Sequence, residues 1–312
     1  MEQNISEYAI EVKNLTKRFS HLTAVDKVSF NVKKSEIFGF LGPNGAGKTT
    51  TVNMLCTLVK PTSGDAIVND FSVNTHSLEV RRSIGIVFQE LTLDNHLTVK
   101  ENIFLHAKLY GLNNAMFNKK LYQIAKLLDL ENSLDLPVGD LSGGTKRRIE
   151  IARVLIHEPK ILFLDEPTVG LDAQTRNKIW DYLLKARKEI GVTIFLTTQY
   201  INEAEICDRI GIIDHGEIVA LDTPDNLKNI VNRDTIEIQT KDNLKSIDQI
   251  KLKFPDVSLR LIGKNIIIKA EKGETFLPKV LEVITEEIIS INLKKPSLED
   301  AFLKLTGRQI RD

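Results

Sequence analysis

The most specific chemistry in this 312-residue chain lies in the run Gly42, Pro43, Asn44, Gly45, Ala46, Gly47, Lys48, Thr49 and Thr50. It directly follows the apolar stretch IFGFL (37–41) and fills the pattern GxxxxGK[ST] between a strand and a helix. Glycines let such a loop take backbone angles closed to other residues, so successive N–H groups can turn inward onto phosphate oxygens. The helix that starts there adds its positive end. Lys48 then supplies a cation for the β- and γ-phosphates, and the Thr49 hydroxyl a ligand for Mg²⁺. A second apolar run, ILFLDEP (161–167), delivers two carboxylates. Asp165 suits a Mg²⁺ shell. Glu166 suits orienting and polarising a water that attacks phosphorus. Alone, a strand ending in Asp-Glu is as readily a surface loop; behind a phosphate loop it reads as catalytic.

Two further segments narrow the reading. Ser142, Gly143 and Gly144, within LSGGTKRR, open a helix with Ser142 as its cap. A lone SGG is a common helix start, but here it precedes ILFLDEP by some twenty residues. In this order the first 230 residues or so resemble an ABC (ATP-binding cassette) ATPase. The resemblance implies that the LSGG helix of one subunit points at the γ-phosphate of ATP held by a second. ATP with Mg²⁺ is then the substrate, and a dimer of nucleotide-binding subunits is required, because one chain builds only half of each site. A second helix end makes chemical sense there, since it closes a cage of donors around the phosphates.

Other family positions match one by one. Phe19, in LTKRFS, resembles the aromatic that stacks on adenine; the alternative is a buried core phenylalanine. Gln89 resembles the glutamine that touches Mg²⁺ and water and relays closure to a membrane partner through Glu90 to Asn95. Asp172 resembles the aspartate that crosses the dimer interface. Where the family usually carries histidine, this chain has Gln199. Its amide can still hydrogen-bond a γ-phosphate oxygen but cannot carry a proton or a charge, so more of the catalysis falls to Glu166. TTQYINEAE, IIDHGEIVALDTP and PSLEDAFLKLTGR together are similar to the daunorubicin-resistance type of exporter ATPase. That likeness implies a protein on the cytoplasmic face of the cell membrane. It would drive a drug, lipid or polysaccharide cargo through a separate polytopic permease. A soluble ABC ATPase without a transport partner and a weakly hydrolysing regulator are the alternatives. One uninterrupted cassette and no heptad run weigh against ribosome- and DNA-repair-type relatives.

The elements that must position these residues are legible from periodicity. Ile10 and Val12, then Val28, Phe30 and Val32, alternate as half-buried antiparallel strands do. Runs at 37–41, 84–88, 161–165, 193–197 and 210–214 are apolar throughout, as strands covered on both faces are. Helical stripes fall at Leu121, Ile124, Ala125 and Leu128, and at Ile179, Leu183, Ala186 and Ile190. This is an α/β P-loop core with an antiparallel β portion and a helical subdomain. Beyond a boundary near 229, the order β-α-β-β-α-β predicts a small ferredoxin-like α+β domain over 230–312. In it Phe276, Leu277, Val280, Leu281, Ile284 and Ile288 share one helical stripe. Ser297 caps the last helix, with Glu299 and Asp300 in its first turn.

Composition excludes several classes. Lys plus Arg equal Asp plus Glu at 42 each, so no global field draws a polyanion, and nucleic acid is not an expected partner. Lys146, Arg147 and Arg148 are expected on a solvated or interface face. Cys56 and Cys207 are far apart and fit core thiols in a reducing compartment. The start, MEQNISEYAI, is not expected to be a signal peptide. Nowhere do about 18 apolar residues run together to span a bilayer. The six histidines show no metal-ligand spacing. His215, in DHGE, is expected as a solvated turn residue.

Overall fold

The alternating segments at the start form a hairpin, β1 (Tyr8–Phe19) and β2 (Leu22–Lys33), in which Ile10 faces Val32 and Val12 faces Phe30. The computed structural model describes residues 6–309 and divides them into two units, residues 6–223 and Pro224–Gln309. In the first unit β3 (Ile37–Leu41) leads into α1 (Lys48–Leu55). β4 (Ser63–Val68) and β5 (Phe71–Ser72) join the hairpin in a four-stranded antiparallel sheet of order β2-β1-β4-β5. α2 (Ser77–Ser83), β6 (Ile84–Val87), α3 (Val99–Leu109), α4 (Asn114–Leu127) and α5 (Gly143–Leu155) follow. β7 (Ile161–Asp165), α6 (Ala173–Ile190), β8 (Thr193–Thr198), α7 (Ile201–Ala204), β9 (Arg209–Asp214) and β10 (Glu217–Asp222) complete the unit.

The uniformly apolar runs become the central sheet, of order β10-β9-β3-β8-β7-β6, with β10 antiparallel and the rest parallel. All residues of β3, β7 and β8 are buried. Phe30 on β2 stacks on Phe38 of β3 with centroids 5.5 Å apart, and Phe38 lies 5.5 Å from Phe195 of β8. These rings join the antiparallel sheet to the central one by apolar burial and offset stacking. Register then sets the site: Leu41 lies beside Thr198, and Asp165 beside Thr197. Three loops therefore leave the same carboxyl edge of the sheet, the usual place for a ligand in an open α/β fold.

The second unit comprises α8 (Pro224–Asn229), β11 (Asp234–Thr240), α9 (Asn243–Lys253), β12 (Ser258–Ile262) and β13 (Asn265–Ala270), then α10 (Gly273–Leu281), β14 (Ile288–Lys294) and α11 (Leu298–Thr306). Its antiparallel sheet has the order β12-β13-β11-β14. Ile236, Ile238, Ile266, Ile268 and Val280 form its core. The division falls between Thr223 and Pro224, ahead of 229, because α8 packs on α11 within this unit. The expected stripe over 276–288 is shorter than periodicity implied. α10 ends at Leu281, and Ile288 instead pairs with Thr240 as the first residue of β14. Ser297 accepts from the Asp300 N–H, and Asp300 reciprocates at the Ser297 N–H, a complete capping box. In the first unit Ile190 is 38% exposed and leaves its predicted stripe. Cys56 and Cys207 are free and buried, and burial pushes both thiols well up.

Candidate active site

A cavity of about 410 Å³ opens at the carboxyl edge of the central sheet. Its walls include Lys48, Thr49, Gln89 and Glu166 from the segments singled out above, with Phe19 and His215 alongside. The loop between β3 and α1 takes the shape its glycines permit. Gly47 has φ +105°, and a Cβ there would stand 2.5 Å from the Ala24 carbonyl, so no larger residue fits. The Lys48 ammonium folds back over the loop. It donates to the carbonyls of Gly42 at 2.8 Å and Pro43 at 3.2 Å, and pairs with Glu166 Oε1 at 2.9 Å. Both side chains are under a tenth exposed, so this ion pair sits in a low-dielectric pocket where each charge depends on the other.

Thr197 organises the carboxylates. Its hydroxyl donates to Asp165 Oδ1 at 2.5 Å and accepts from the Glu166 N–H at 3.0 Å. The Thr49 hydroxyl donates to the same Asp165 oxygen at 3.2 Å. Glu166 has φ +46°, a left-handed conformation costing a non-glycine residue roughly 1–3 kcal/mol. Its N–H bonds to the Thr197 hydroxyl and carbonyl hold it there and turn its carboxylate into the cavity. Thr197 was not singled out from the sequence. As a threonine at the end of a strand it carries no local mark, and only the β7–β8 register reveals it.

Ser142, Gly143, Gly144 and Asp172 gather elsewhere, and none of them lines this cavity. Ser142 caps α5 by accepting the Thr145 N–H at 3.3 Å, and Asp172 caps α6 by accepting that of Thr175 at 2.9 Å. The Thr175 hydroxyl and backbone N–H hold the Asp172 carboxyl below its ordinary range. The two helix tips touch: a Cβ on Gly144 would lie 2.3 Å from the Thr175 methyl. Ser142, Gly143 and Asp172 are exposed. Gln199 is half-buried, directly after the Thr198 that accepts the Gly42 N–H at 3.2 Å.

A family model described as ABC transporter matches residues 25–169. The linearmycin resistance ATP-binding protein LnrL of Bacillus subtilis (strain 168) is 36% identical over 311 residues, 97% of this chain and 100% of that protein. The chain belongs to the ABC transporter family. The doxorubicin resistance ATP-binding protein DrrA of Mycobacterium tuberculosis (strain CDC 1551 / Oshkosh) is 37% identical over 313 residues, 96% of this chain and 94% of that one. Among solved structures, the ABC cassette MJ0796, dimeric in a post-hydrolysis state with ADP and Pi, superposes with TM-score 0.62 at 31% identity. That match covers 69% of this chain and 98% of that one. As an ABC ATPase, the chain binds and hydrolyses ATP.

In this ABC ATPase the structure also corrects or extends the sequence reading. Phe19 is 45% exposed and lines the cavity, so it is not a core phenylalanine. His215 is a turn residue with its side chain 81% exposed, and it stands beside the glycine loop, a placement invisible in DHGE. Arg147 overturns the expectation of a solvated basic face. It is 4% exposed, paired with Glu150 at 2.9 Å and bonded to the Phe88 and Gln89 carbonyls. Charge count alone could not see this, because the carbonyls that draw it inward stand 58 and 59 residues away. Glu203, 1% exposed, accepts the hydroxyls of Thr168 and Thr198 and so joins the turn after Glu166 to the strand end before Gln199. A second cavity, about 510 Å³, lies among Lys120, Leu155, Glu158 and Val192 and holds none of these groups.

Proposed function

We propose that this chain is the ATP-hydrolysing subunit of a membrane exporter for a drug-, lipid- or polysaccharide-like cargo. Two copies close on ATP beneath a separate membrane subunit. The observation that carries this reading is the split site. The phosphate loop, Lys48 and Glu166 share one cavity, whereas Ser142 and Gly143 at the tip of α5 stand exposed outside it, available to a second copy. The drug-resistance names of full-length relatives support the exporter assignment. Among the described residues no helix is long and apolar enough to cross a membrane.

In this proposal the adenine stacks on Phe19 and the phosphates lie along the glycine loop, with Lys48 on the β- and γ-phosphates. The Thr49 hydroxyl and the Asp165 carboxylate, already bonded to one another, are hard oxygen donors that fit Mg²⁺, with Gln89 nearby. The metal would supply charge neutralisation at the transferring phosphoryl group. Glu166 orients the attacking water and takes its proton. The Gln199 amide donates to a γ-phosphate oxygen, and Ser142 of the partner subunit caps the γ-phosphate from the far side. The carboxyl end of β8 and the tip of α6 then bring Gln199 and Asp172 to the interface.

A cysteine pair tests the half-site. With Ser142→Cys and Asn44→Cys introduced in a Glu166→Gln background, a disulfide between copies should form only with ATP and Mg²⁺. The native thiols are buried and should not compete. Its absence at saturating nucleotide would overturn the paired site. Phe19→Ala should weaken nucleotide binding by about 1–3 kcal/mol, the contribution of one base–aromatic stack, read by titration with a fluorescent ATP analogue. Equal affinities for ATP and for triphosphate lacking a base, in the unmutated protein, would show that Phe19 stacks nothing.

A further inference from the structure

The segment after β6, from Phe88 to Thr92, carries Gln89 but belongs to no strand or helix. One face of α5 holds it. Arg147 donates through Nη1 to the Phe88 carbonyl and through Nη2 to the Gln89 carbonyl, both at 2.6 Å. The same Nη1 reaches Glu150 Oε2 at 2.9 Å. Glu150 Oε1 accepts the Thr92 N–H at 2.7 Å and its hydroxyl at 3.1 Å. One turn further on, Arg153 donates to the Thr92 carbonyl at 2.9 Å. Arg147 and Glu150 are 4% and 0% exposed. A buried ion pair persists only when every remaining donor and acceptor is satisfied, so helix and segment cannot slide past each other without stranding a charge. The other end of α5 is the Ser142–Gly144 tip.

We propose that the Arg147–Glu150 pair makes the segment bearing Gln89 and the helix bearing Ser142 one mechanical body, so that nucleotide engaged by Gln89 in one half-site sets the pose of the tip that completes the other. This rests on the paired half-sites proposed above. Arg147 is here a positioning residue. It lies outside the cavity lining, and it acts by converting a small displacement at one phosphate site into a displacement at the opposite one. A guanidinium is suited to this because its planar fork reaches two carbonyls and a carboxylate at once, which an ammonium cannot do in a fixed geometry.

The test is a double-mutant cycle in the Glu166→Gln background, with Arg147→Lys and Gln89→Ala. Nucleotide affinity is read on dilute monomer with a fluorescent ATP analogue, and ATP-dependent dimerisation by sedimentation velocity. Arg147→Lys should leave monomer affinity within about twofold and weaken dimerisation by about 5- to 150-fold, the span of ordinary site-to-site coupling. Gln89→Ala should weaken dimerisation similarly, and adding Arg147→Lys to it should cost less than about twofold more, since both cut one path. Independent, multiplying effects would mean that Arg147 only stabilises the fold and would overturn the inference, as would dimerisation equal to that of the parent. Should Arg147→Lys not fold, Thr92→Val removes a contact of the same clamp without stranding a charge, and is read by the same two measurements. A parent that stays monomeric overturns the paired half-sites and this inference together; a parent that dimerises alongside an unaffected variant overturns this inference alone.

Discussion

Glu166→Gln should lower steady-state phosphate release by about 10²–10⁴-fold, the usual contribution of a positioned general base, while ATP binding is kept or improved. The amide keeps the shape of the side chain and an oxygen for the Lys48 ammonium, 2.9 Å away, but it cannot take a proton from water. It also removes a carboxylate that pairs with Lys48 and, in the proposed site, would repel the γ-phosphate. With hydrolysis stopped and binding intact, ATP-loaded dimers should accumulate on size exclusion. Gln199 sharpens the expectation. A histidine at that position could share the electrostatic work, but an amide carries neither proton nor charge, so little turnover should survive loss of Glu166. Hydrolysis within about tenfold of the parent would show that another group activates the water.

Lys48→Ala should abolish useful nucleotide binding. A charged hydrogen bond contributes roughly 1.5–3 kcal/mol, so the loss of even one contact raises Kd at least about tenfold, and in the proposed site Lys48 would reach two phosphates. The same substitution has a second effect that can be separated from the first. It strands Glu166, 6% exposed, without its cation in a buried pocket, a situation that typically costs roughly 3–5 kcal/mol of stability. Lys48→Ala alone should therefore melt at lower temperature and bind nucleotide poorly. Adding Glu166→Gln should recover the stability, since no unpaired charge remains, and leave the binding defect. Thermal melts and equilibrium titration on the two variants check both halves. Unchanged nucleotide affinity in Lys48→Ala would remove the glycine loop from the binding site.

In the proposed half-site arrangement, the tip of α5 would complete the phosphate site of a second copy. The Ser142 and Asp172 caps satisfy N–H groups within their own helices, and Gly144 lets the tips of α5 and α6 meet without a side chain between them. What remains exposed at the α5 tip is a helix N-terminus with its partial positive charge, a surface matched to a phosphate brought by another copy.

How much of this was legible beforehand depended on how local the physics is. The glycine loop, the strand ending in Asp165 and Glu166, and the caps at Ser142 and Ser297 were all readable in sequence. Each rests on backbone geometry within a few residues: a φ only glycine takes freely, a side-chain oxygen reaching its own helix, an unbroken apolar run that must be covered on both faces. The same run that announces a buried strand is silent about its neighbours. Uniformly apolar strands lack the alternation that pins register, so nothing local said that Thr197 would lie beside Asp165 and hold both carboxylates. Tertiary packing also decided the fate of Arg147, drawn inward by carbonyls far along the chain, and of His215, carried by a tight turn to the cavity wall. It ended a helix at Leu281 and gave Ile288 to an edge strand, because pairing with Thr240 outweighed the periodicity. Sequence alone thus determined the glycine loop, the paired carboxylates and the helix caps, since each is written in residue type and short spacing. Only the folded sheet decided which side chains aim them, since contacts between distant residues follow from register and burial.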